Sequence, residues 1–256
     1  MQSFRAALKI FLFILINLLL VPPHVLIYLI HRGDLLYILP RIYHRLACAV
    51  FQIRISQNGE PLRDTQTLFI SNHLSYLDIP LLGAVLPSPH FVAKKDVQDW
   101  PVWGVLAKLQ QTAFISRNRQ DAKKETQSLE AMINASKNLV VFAEGTSTDG
   151  HEIAPFKSSL FTIAMNEPPA ALCIQPVTLN VTALNGQPHS GGDRANLYAW
   201  PRELDMELVP HLWRFAKSKG VTLEVVFGAP IKPQDYSDRK TLAKACHDAV
   251  CNGLKH

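Results

Sequence analysis

The chain has 256 residues, of which 48% are hydrophobic and 18% are charged, a composition that excludes an intrinsically disordered chain. Four cysteines, with no C-x-x-C pair among them, give no disulfide framework and favour a reducing compartment. Lysine and arginine number 26 against 21 aspartates and glutamates, and the resulting net charge of +5 suits a partner with phosphates, either nucleic acid or an anionic lipid surface.

The first predicted element is an apolar N-terminal segment. From Ile10 to Ile30 the sequence has no formal charge, and about 20 apolar residues are enough to span a bilayer. Pro22 and Pro23 interrupt this segment, and because proline removes a backbone donor and crowds the preceding turn, one straight helix is not expected. Two arrangements stay open: a kinked single span, or two short helices that enter one leaflet.

A cleaved signal peptide is a third alternative for this segment, since it has a basic start and an apolar core. Pro-Pro-His and more apolar residues follow Val21, however, where a small-x-small cleavage site would be needed. The basic residues Arg32, Arg41 and Arg45 come next and favour a cytoplasmic location for the domain after them. We predict a membrane-associated helical segment over residues 1–48 and one globular domain over residues 49–256.

The rest of the chain alternates short apolar strands with helices. The predicted strands are 51–56, 67–71, 91–94, 112–116, 139–142, 171–179 and 221–227. The predicted helices are 79–86, 103–109, 121–136, 158–165 and a C-terminal helix from Asp238. This alternation predicts an α/β fold, with a largely parallel central sheet flanked by helices. Residues 185–194 are predicted to form a loop within the domain.

The sequence NHLSYLD, which begins at Asn72, directly follows the predicted strand 67–71, and sites in α/β sheets are built at such strand ends. With His73 in the turn and Asp78 in the first turn of the next helix, the carboxylate could accept from one ring nitrogen and leave the other free to take a proton. Ser75-x-x-Asp78 resembles a capping box and predicts that the helix starts there. The alternative is a capped helix with an incidental histidine.

Two further groups of polar residues follow strand ends. The sequence FAEGTS at residues 142–147 follows the strand 139–142, and such a glycine turn can point backbone N–H groups at an anion or be a simple turn before a helix. Lys94, Lys95 and Arg117 each come just after a short strand, where they could hold a phosphate or form a solvated basic rim.

Taken together, these segments resemble the blocks of the lysophosphatidic acid (1-acyl-glycerol-3-phosphate) acyltransferase family. The family's N-H-x4-D block matches residues 72–78, its second block resembles residues 91–117, its F-P-E-G-T-R block resembles FAEGTS, and its block ending in V/I-P-V resembles residues 173–177. Within the second block, the matching positions are Lys94, Lys95, Pro101, Gly104 and Arg117. The ordered set is far more specific than any single block.

The resemblance implies an O-acyltransferase that moves a fatty acyl group from an acyl-CoA or acyl carrier protein thioester to the free hydroxyl of a lysolipid, most simply 1-acyl-glycerol-3-phosphate. It implies that His73 removes the hydroxyl proton and that Asp78 orients His73. The substrate-binding residues that it implies are Lys94, Lys95, Arg117, Glu144, Gly145, Thr146 and Ser147. It implies no metal, no cofactor and no nucleic acid, and a location at the inner membrane with the catalytic domain facing the cytoplasm.

One departure from the family concerns the acceptor. Ser147 stands where the family has an arginine that helps to bind the acceptor's phosphate, and serine brings neither the charge nor the bidentate geometry. The sequence EGTSTDG and the sequence MELVPHLW at residues 206–213 resemble a bacterial subgroup that includes lyso-ornithine lipid acyltransferases. A lyso-ornithine lipid is therefore the alternative acceptor.

Other classes of protein fit less well. A serine hydrolase would need G-x-S-x-G, and the nearest match ends in Asp149; a P-loop would need Lys-Ser/Thr where Gly192 and Asp193 stand. A metal hydrolase would have to use His73, Asp78 and Glu144 without a known ligand spacing. A non-catalytic membrane lipid-binding protein explains the basic charge and the apolar segment but not the ordered blocks.

Overall fold

The computed structural model describes residues 1–30, 34–100, 103–116, 122–166, 168–169, 171–189 and 197–255. The helices are α1 Gln2–Ile30, α2 Ile38–Phe51, α3 Asp78–Val85, α4 Trp103–Leu109, α5 Ala122–Asn134, α6 Thr162–Met165, α7 Leu208–Lys217 and α8 Arg239–Cys251. The strands are β1 Ile53–Asn58, β2 Thr67–Ser71, β3 Pro89–Lys94, β4 Ala113–Ile115, β5 Asn138–Phe142, β6 Cys173–Leu184, β7 Gln187–Pro188 and β8 Val221–Phe227.

The strands form a mixed, mostly parallel sheet in the order β1-β8-β6-β2-β5-β3-β4. Strand β8 is antiparallel to β6, the short β7 pairs antiparallel to the end of β6, and the other neighbours are parallel. The predicted α/β class with a largely parallel sheet is confirmed. At the centre, Ser71 at the end of β2 pairs with Phe142 of β5 and Val177 of β6, which brings the ends of β2 and β5 together.

Helices pack on both faces of this sheet. Residues of β2 alternate between two core clusters, because successive side chains of a strand point to opposite faces. Phe69 joins the cluster that includes Phe51 of α2 and Phe215 of α7. Leu68 and Ile70 join the cluster built with α5 and α8. All five residues of β2 are buried, as expected for a parallel strand covered on both faces.

Most predicted elements coincide with observed ones, and the differences have physical reasons. Strand β6 continues from the predicted end at Leu179 to Leu184, because its second half pairs with β8 and passes a register shift there. The predicted loop 185–194 includes the two-residue strand β7, and its residues 190–194 lie outside the described ranges. Helix α2 lies largely within the segment 1–48 that was predicted to be helical, and helix α7 was not predicted. Each has a proline in its first turn, where no intrahelical N–H bond is lost.

Helix α1 rules out one of the two arrangements left open for the N-terminal segment, namely two short helices. It continues through Pro22 and Pro23 as one helix of 29 residues, about 43 Å long at about 1.5 Å per residue. Hydrogen bonds fix the helix to the globular body near both ends: Lys9 Nζ donates to the carbonyl oxygen of Ser218 (3.0 Å), and His24 Nε2 donates to that of Leu109 (3.1 Å). Two separate short helices are therefore not formed.

The face of α1 opposite these contacts is apolar and exposed. The exposed large side chains on the helix are Phe4, Leu8, Phe11, Leu12, Ile14, Leu15, Leu18, Leu19, Leu26, Tyr28, Leu29 and Ile30. Among the helices of the described ranges, α1 is the one long and apolar enough to cross a membrane, judged by length and composition. An exposed apolar surface of this extent marks an interaction site for lipid or protein.

Candidate active site

His73 and Asp78 form a hydrogen-bonded pair at the carboxyl end of the central strand β2. His73 lies in the turn after the strand, and Asp78 is the first residue of α3. His73 Nδ1 is 2.7 Å from Asp78 Oδ2, and the side chains are 21% and 0% exposed. Because an ionised carboxylate only accepts hydrogen bonds, Nδ1 carries the hydrogen and Nε2 is left as the acceptor. The pair can therefore act as a general base.

Asp78 is held by donors on both of its oxygens. Oδ2 accepts from His73 Nδ1 and from the main-chain N–H groups of Leu74 (2.7 Å) and Ser75 (2.9 Å). Oδ1 accepts from the hydroxyl of Tyr198 at 2.8 Å. All four partners are hydrogen-bond donors, so both oxygens of the carboxylate are satisfied within the protein.

The capping-box contacts predicted for Ser75 and Asp78 are observed, although helix α3 begins at Asp78 and not directly after Ser75. Asp78 Oδ2 reaches back to the N–H groups of Leu74 and Ser75, and Ser75 Oγ accepts from the N–H of Leu77 at 3.3 Å. The carboxylate and the serine hydroxyl therefore both organise the turn before the helix.

The main chain around His73 is fixed by its neighbours on β6 and β5. Asn72 exchanges two hydrogen bonds with the main chain of Leu179, through its Nδ2 (3.1 Å) and its Oδ1 (2.8 Å). The N–H of His73 donates to Glu144 Oε1 (2.7 Å), and its carbonyl oxygen accepts from the N–H of Thr148 (2.9 Å). The His73 ring stacks on Phe142 with centroids 4.1 Å apart. Residue 73 is thus held through its main chain and through its ring.

Glu144 joins two segments of main chain. Its second oxygen, Oε2, accepts from the N–H of Ala154 at 2.8 Å, and the side chain is buried. Burial raises the pKa of Glu144 to about 7, although the N–H groups of Ala154 and His73 act in the opposite direction. The contacts of both oxygens fix the turn that follows β5 against the turn that follows β2.

The turn after β5 contains a lysine contact that sequence analysis missed. Gly145 has φ +68°, a left-handed conformation that favours glycine, and a Cβ added there would collide with the ammonium end of Lys157. Lys157 therefore places a positive charge over this turn. The lysine lies in the sequence PFKSSLF, but no spacing rule connects it to a glycine 12 positions earlier.

Ser147 uses its hydroxyl within the protein. Its Oγ donates to the carbonyl oxygen of Trp200 at 2.6 Å, and its own carbonyl oxygen accepts from the N–H of Arg202 at 3.4 Å. The residues Gly145, Thr146 and Ser147 are all half-buried. Ser147 therefore connects the turn after β5 to the segment around Trp200.

The structure describes two of the three predicted cationic residues, Lys94 and Lys95. Lys94 is the last residue of β3 and Lys95 opens the short 3-10 helix that follows, Lys95–Asp99. Strand β3 pairs in parallel with β5, so both lysines lie at the same edge of the sheet as His73. Arg117, like Pro101 of the same sequence block, lies outside the described residues.

A histidine with one ring nitrogen held by a buried aspartate, at the carboxyl end of a central strand, is an arrangement that can activate a hydroxyl or a water. The sequence model of the Acyltransferase family matches residues 53–180, half of the chain, and the chain belongs to this family. The protein is therefore an acyltransferase, which excludes the non-catalytic alternative.

The individual relatives are named for two different acceptors, lyso-ornithine lipid and 1-acyl-sn-glycerol-3-phosphate. The chain is 36% identical to the lyso-ornithine lipid O-acyltransferase of Brucella abortus, over 83% of this chain and 80% of that protein. It is 36% identical to the enzyme of the same name from Rhodobacter capsulatus, over 82% and 73%. It is 28% identical to the 1-acyl-sn-glycerol-3-phosphate acyltransferase of Neisseria gonorrhoeae, over 74% and 70%.

A solved structure shares the fold of the whole chain. The crystal structure of the 1-acyl-sn-glycerophosphate acyltransferase PlsC from Thermotoga maritima superposes with a TM-score of 0.70, covering 99% of this chain and 96% of that one. The two sequences are 17% identical, so the similarity is one of fold. The superposed region includes the N-terminal helices as well as the sheet.

Proposed function

We propose that this enzyme acylates the free hydroxyl of a lyso-ornithine lipid, with acyl-CoA or an acyl carrier protein thioester as donor. The observation that carries the acceptor is Ser147, which is neutral where an enzyme for a phosphate monoester would use arginine, and whose hydroxyl is already bonded to Trp200. The two relatives at 36% identity, both lyso-ornithine lipid O-acyltransferases, support the same acceptor.

The proposed reaction uses His73 as the base. Its Nε2 takes the proton of the acceptor hydroxyl as the oxygen attacks the thioester carbonyl, and the anionic Asp78 stabilises the imidazolium that forms. When the tetrahedral intermediate collapses, the C–S bond breaks and the proton passes to the leaving thiolate. The new ester and a free thiol are the products, and the enzyme forms no covalent intermediate.

The turn after β5 has two proposed roles. The main-chain N–H of Thr146 is assigned to the oxyanion of the intermediate, whereas the N–H of Gly145 donates within the turn to the carbonyl oxygen of Phe142 at 2.9 Å. Lys157, whose ammonium lies over Gly145, is assigned to the carboxylate of the ornithine head group. A neutral Ser147 leaves room for the ammonium of the same head group, which an arginine would repel.

The remaining substrate contacts are assigned by position. Lys94 and Lys95 follow β3, on the side of β5 away from β2, and with Arg117 they are assigned to the phosphates of the donor. Glu144 is assigned to the support of the two turns that bind both substrates.

The membrane arrangement rests on α1. We propose that residues 1–48 form the membrane-associated segment and residues 49–256 the catalytic domain, at the inner membrane and facing the cytoplasm. The exposed apolar face of α1 supports this arrangement, because the fixed opposite face keeps the site close to the membrane surface. Both lipid substrates are dissolved there, so the search for them is shortened.

Acylation of two acceptors by the purified full-length protein tests the proposal. We expect kcat/KM for lyso-ornithine lipid to exceed that for lysophosphatidic acid by at least about tenfold, the effect of about 1.4 kcal/mol. Wild type, Ser147→Ala and Ser147→Arg are compared at equal salt, because the alanine variant loses the Trp200 bond without adding charge. Arginine should lower the rate with lyso-ornithine lipid below that of the alanine variant. Acylation of lysophosphatidic acid alone by the wild type would overturn the proposal.

Lysophosphatidic acid is the second candidate acceptor. Lys157, whose ammonium lies over Gly145, favours this acceptor, since one ammonium there could bind a phosphate as well as a carboxylate. If this candidate is correct, Ser147→Arg should keep or lower the KM for lysophosphatidic acid relative to Ser147→Ala. The same set of three proteins therefore decides between the two acceptors.

A further inference from the structure

The segment Leu197–Trp200 (residues 197–200) connects to both turns of the active site. The N–H of Trp200 donates to the carbonyl oxygen of Leu74 at 2.8 Å, and the carbonyl oxygen of Trp200 accepts from Ser147 Oγ at 2.6 Å. The carbonyl oxygen of Ala199 accepts from His211 Nε2 of α7 at 3.0 Å. Three anchors thus hold a segment that no motif of the family resemblance includes.

Tyr198, inside this segment, contacts the catalytic pair directly. Its hydroxyl is 2.8 Å from Asp78 Oδ1, across 120 positions of sequence, and both side chains are 0% exposed. The ring packs edge-on against Phe215, with centroids 6.0 Å apart. Burial and the neighbouring Asp78 carboxylate raise the pKa of Tyr198 well above its usual range. The hydroxyl therefore stays protonated and donates a hydrogen bond to Asp78.

We propose that Tyr198 is a positioning residue for the His73–Asp78 pair and sets the strength of the base through the Asp78 carboxylate. The hydroxyl fixes the rotation of the carboxylate, so that Oδ2 faces the ring of His73 and the two main-chain N–H groups. It also withdraws charge from the carboxylate, and a carboxylate with one donor fewer holds an imidazolium more tightly. This proposal rests on the proposed roles of His73 and Asp78 in the reaction.

The Tyr198→Phe variant tests the inference. We expect kcat to fall about tenfold because the carboxylate is no longer fixed in rotation toward the ring of His73, with KM for both substrates changed less than about twofold. The acidic limb of the kcat–pH profile should move to higher pH by about half a unit, since the imidazolium is held more tightly. A residue with a merely structural role would lower the melting temperature and leave the limb in place.

Tyr76→Phe is the matched control. The hydroxyl of Tyr76 donates to His211 Nδ1 at 3.0 Å, in the same region of the fold, and its bond goes to α7 and not to Asp78. We expect this variant to leave the pH limb unmoved. If both variants move the limb equally, or neither does, the inference is overturned.

A second substitution at position 198, with the opposite expected effect on the pH profile, tests the inference even if the phenylalanine variant folds poorly. 3-Fluorotyrosine at position 198 keeps the shape of the ring and makes the hydroxyl a stronger donor, so the acidic limb should move to lower pH. A shift to higher pH, or no shift, would contradict a role through Asp78.

The Asp78→Asn background separates this inference from the proposed function. Because an amide carries no negative charge for the hydroxyl to withdraw, Tyr198→Phe should leave the acidic limb of the kcat–pH profile unmoved in that background. A shift as large as the one in the wild-type background would overturn the inference while leaving the catalytic pair in place. Full activity of His73→Ala would instead overturn the proposed roles of the pair, whatever the tyrosine variants do.

Discussion

Replacing Asp78 by asparagine separates the charge of this side chain from its geometry. Three N–H groups point at Oδ2, and the Tyr198 hydroxyl points at Oδ1. The amide must therefore place its oxygen at the Oδ2 position, because the opposite orientation would set an NH2 group against three donors. The Tyr198 hydroxyl can turn and accept from the NH2 group. We expect the fold and the tautomer of His73 to be kept and only the negative charge to be lost.

The size of the effect depends on that charge. A unit charge about 4 Å from the imidazolium, at an effective dielectric constant of about 20, contributes about 4 kcal/mol. Each 1.4 kcal/mol corresponds to about a factor of ten in rate, so the Asp78→Asn variant should lose about 10²–10³-fold in kcat. Exposure of part of the His73 ring to solvent places the expected value toward the lower end.

The assay is steady-state acylation of the preferred acceptor by the purified full-length protein, with thermal melting of each variant. Asp78→Ala is the companion, since it removes the acceptor from the buried N–H groups of Leu74 and Ser75 and should lower the melting temperature more than asparagine does. A folded Asp78→Asn variant whose kcat stays within tenfold of the wild type would refute the charge argument.

Three other predictions concern the base, the buried glutamate and the membrane. His73→Ala should lower kcat by about 10²–10⁴-fold with unchanged melting, and a loss under tenfold would remove it from the mechanism. Burial raises the pKa of Glu144 to about 7 from 4.5, so its stabilising contribution is complete below about pH 4.5 and is lost as pH rises through about 7. The shift in pKa corresponds to about 3 kcal/mol in the free energy of unfolding, so between pH 5 and 8 the melting temperature of the wild type should fall by more than that of Glu144→Gln. Parallel curves of melting temperature against pH would contradict the raised pKa. Phe11→Ser with Leu18→Ser, both on the exposed face of α1, should weaken co-sedimentation with anionic vesicles at equal melting temperature, and unchanged binding would place the lipid contact elsewhere.

The centre of the fold was predictable because it depends on local patterns. The apolar run at residues 67–71 gave strand β2 with its observed bounds, and the same kind of run gave β8. The His73–Asp78 contact was predictable as well, because a turn of a few residues separates them and places both at one strand end. Such features require no knowledge of distant segments.

Other features depend on tertiary contacts and were missed for that reason. The proline rule could not decide between a kinked single helix and two short helices, whereas bonds from Lys9 and His24 to the body hold α1 as one helix on both sides of the Pro22–Pro23 pair. The bond from Tyr198 to Asp78 joins positions 120 residues apart, and no periodicity or spacing indicates it. The capping-box rule paired Ser75 with Asp78 correctly, but helix α3 begins at Asp78 and not directly after Ser75.

Ser147 connects the question of the acceptor to the geometry of the base. Its hydroxyl holds the carbonyl oxygen of Trp200, and Trp200 is two residues from the tyrosine that donates to Asp78. An arginine at position 147 would lose this 2.6 Å bond, because its donors lie at the end of a long side chain. Ser147→Arg should therefore slow the reaction with every acceptor through the 197–200 segment, and Ser147→Ala measures that common loss. Only the ratio of the two acceptors, taken between the arginine and alanine variants, reports the charge at the head group.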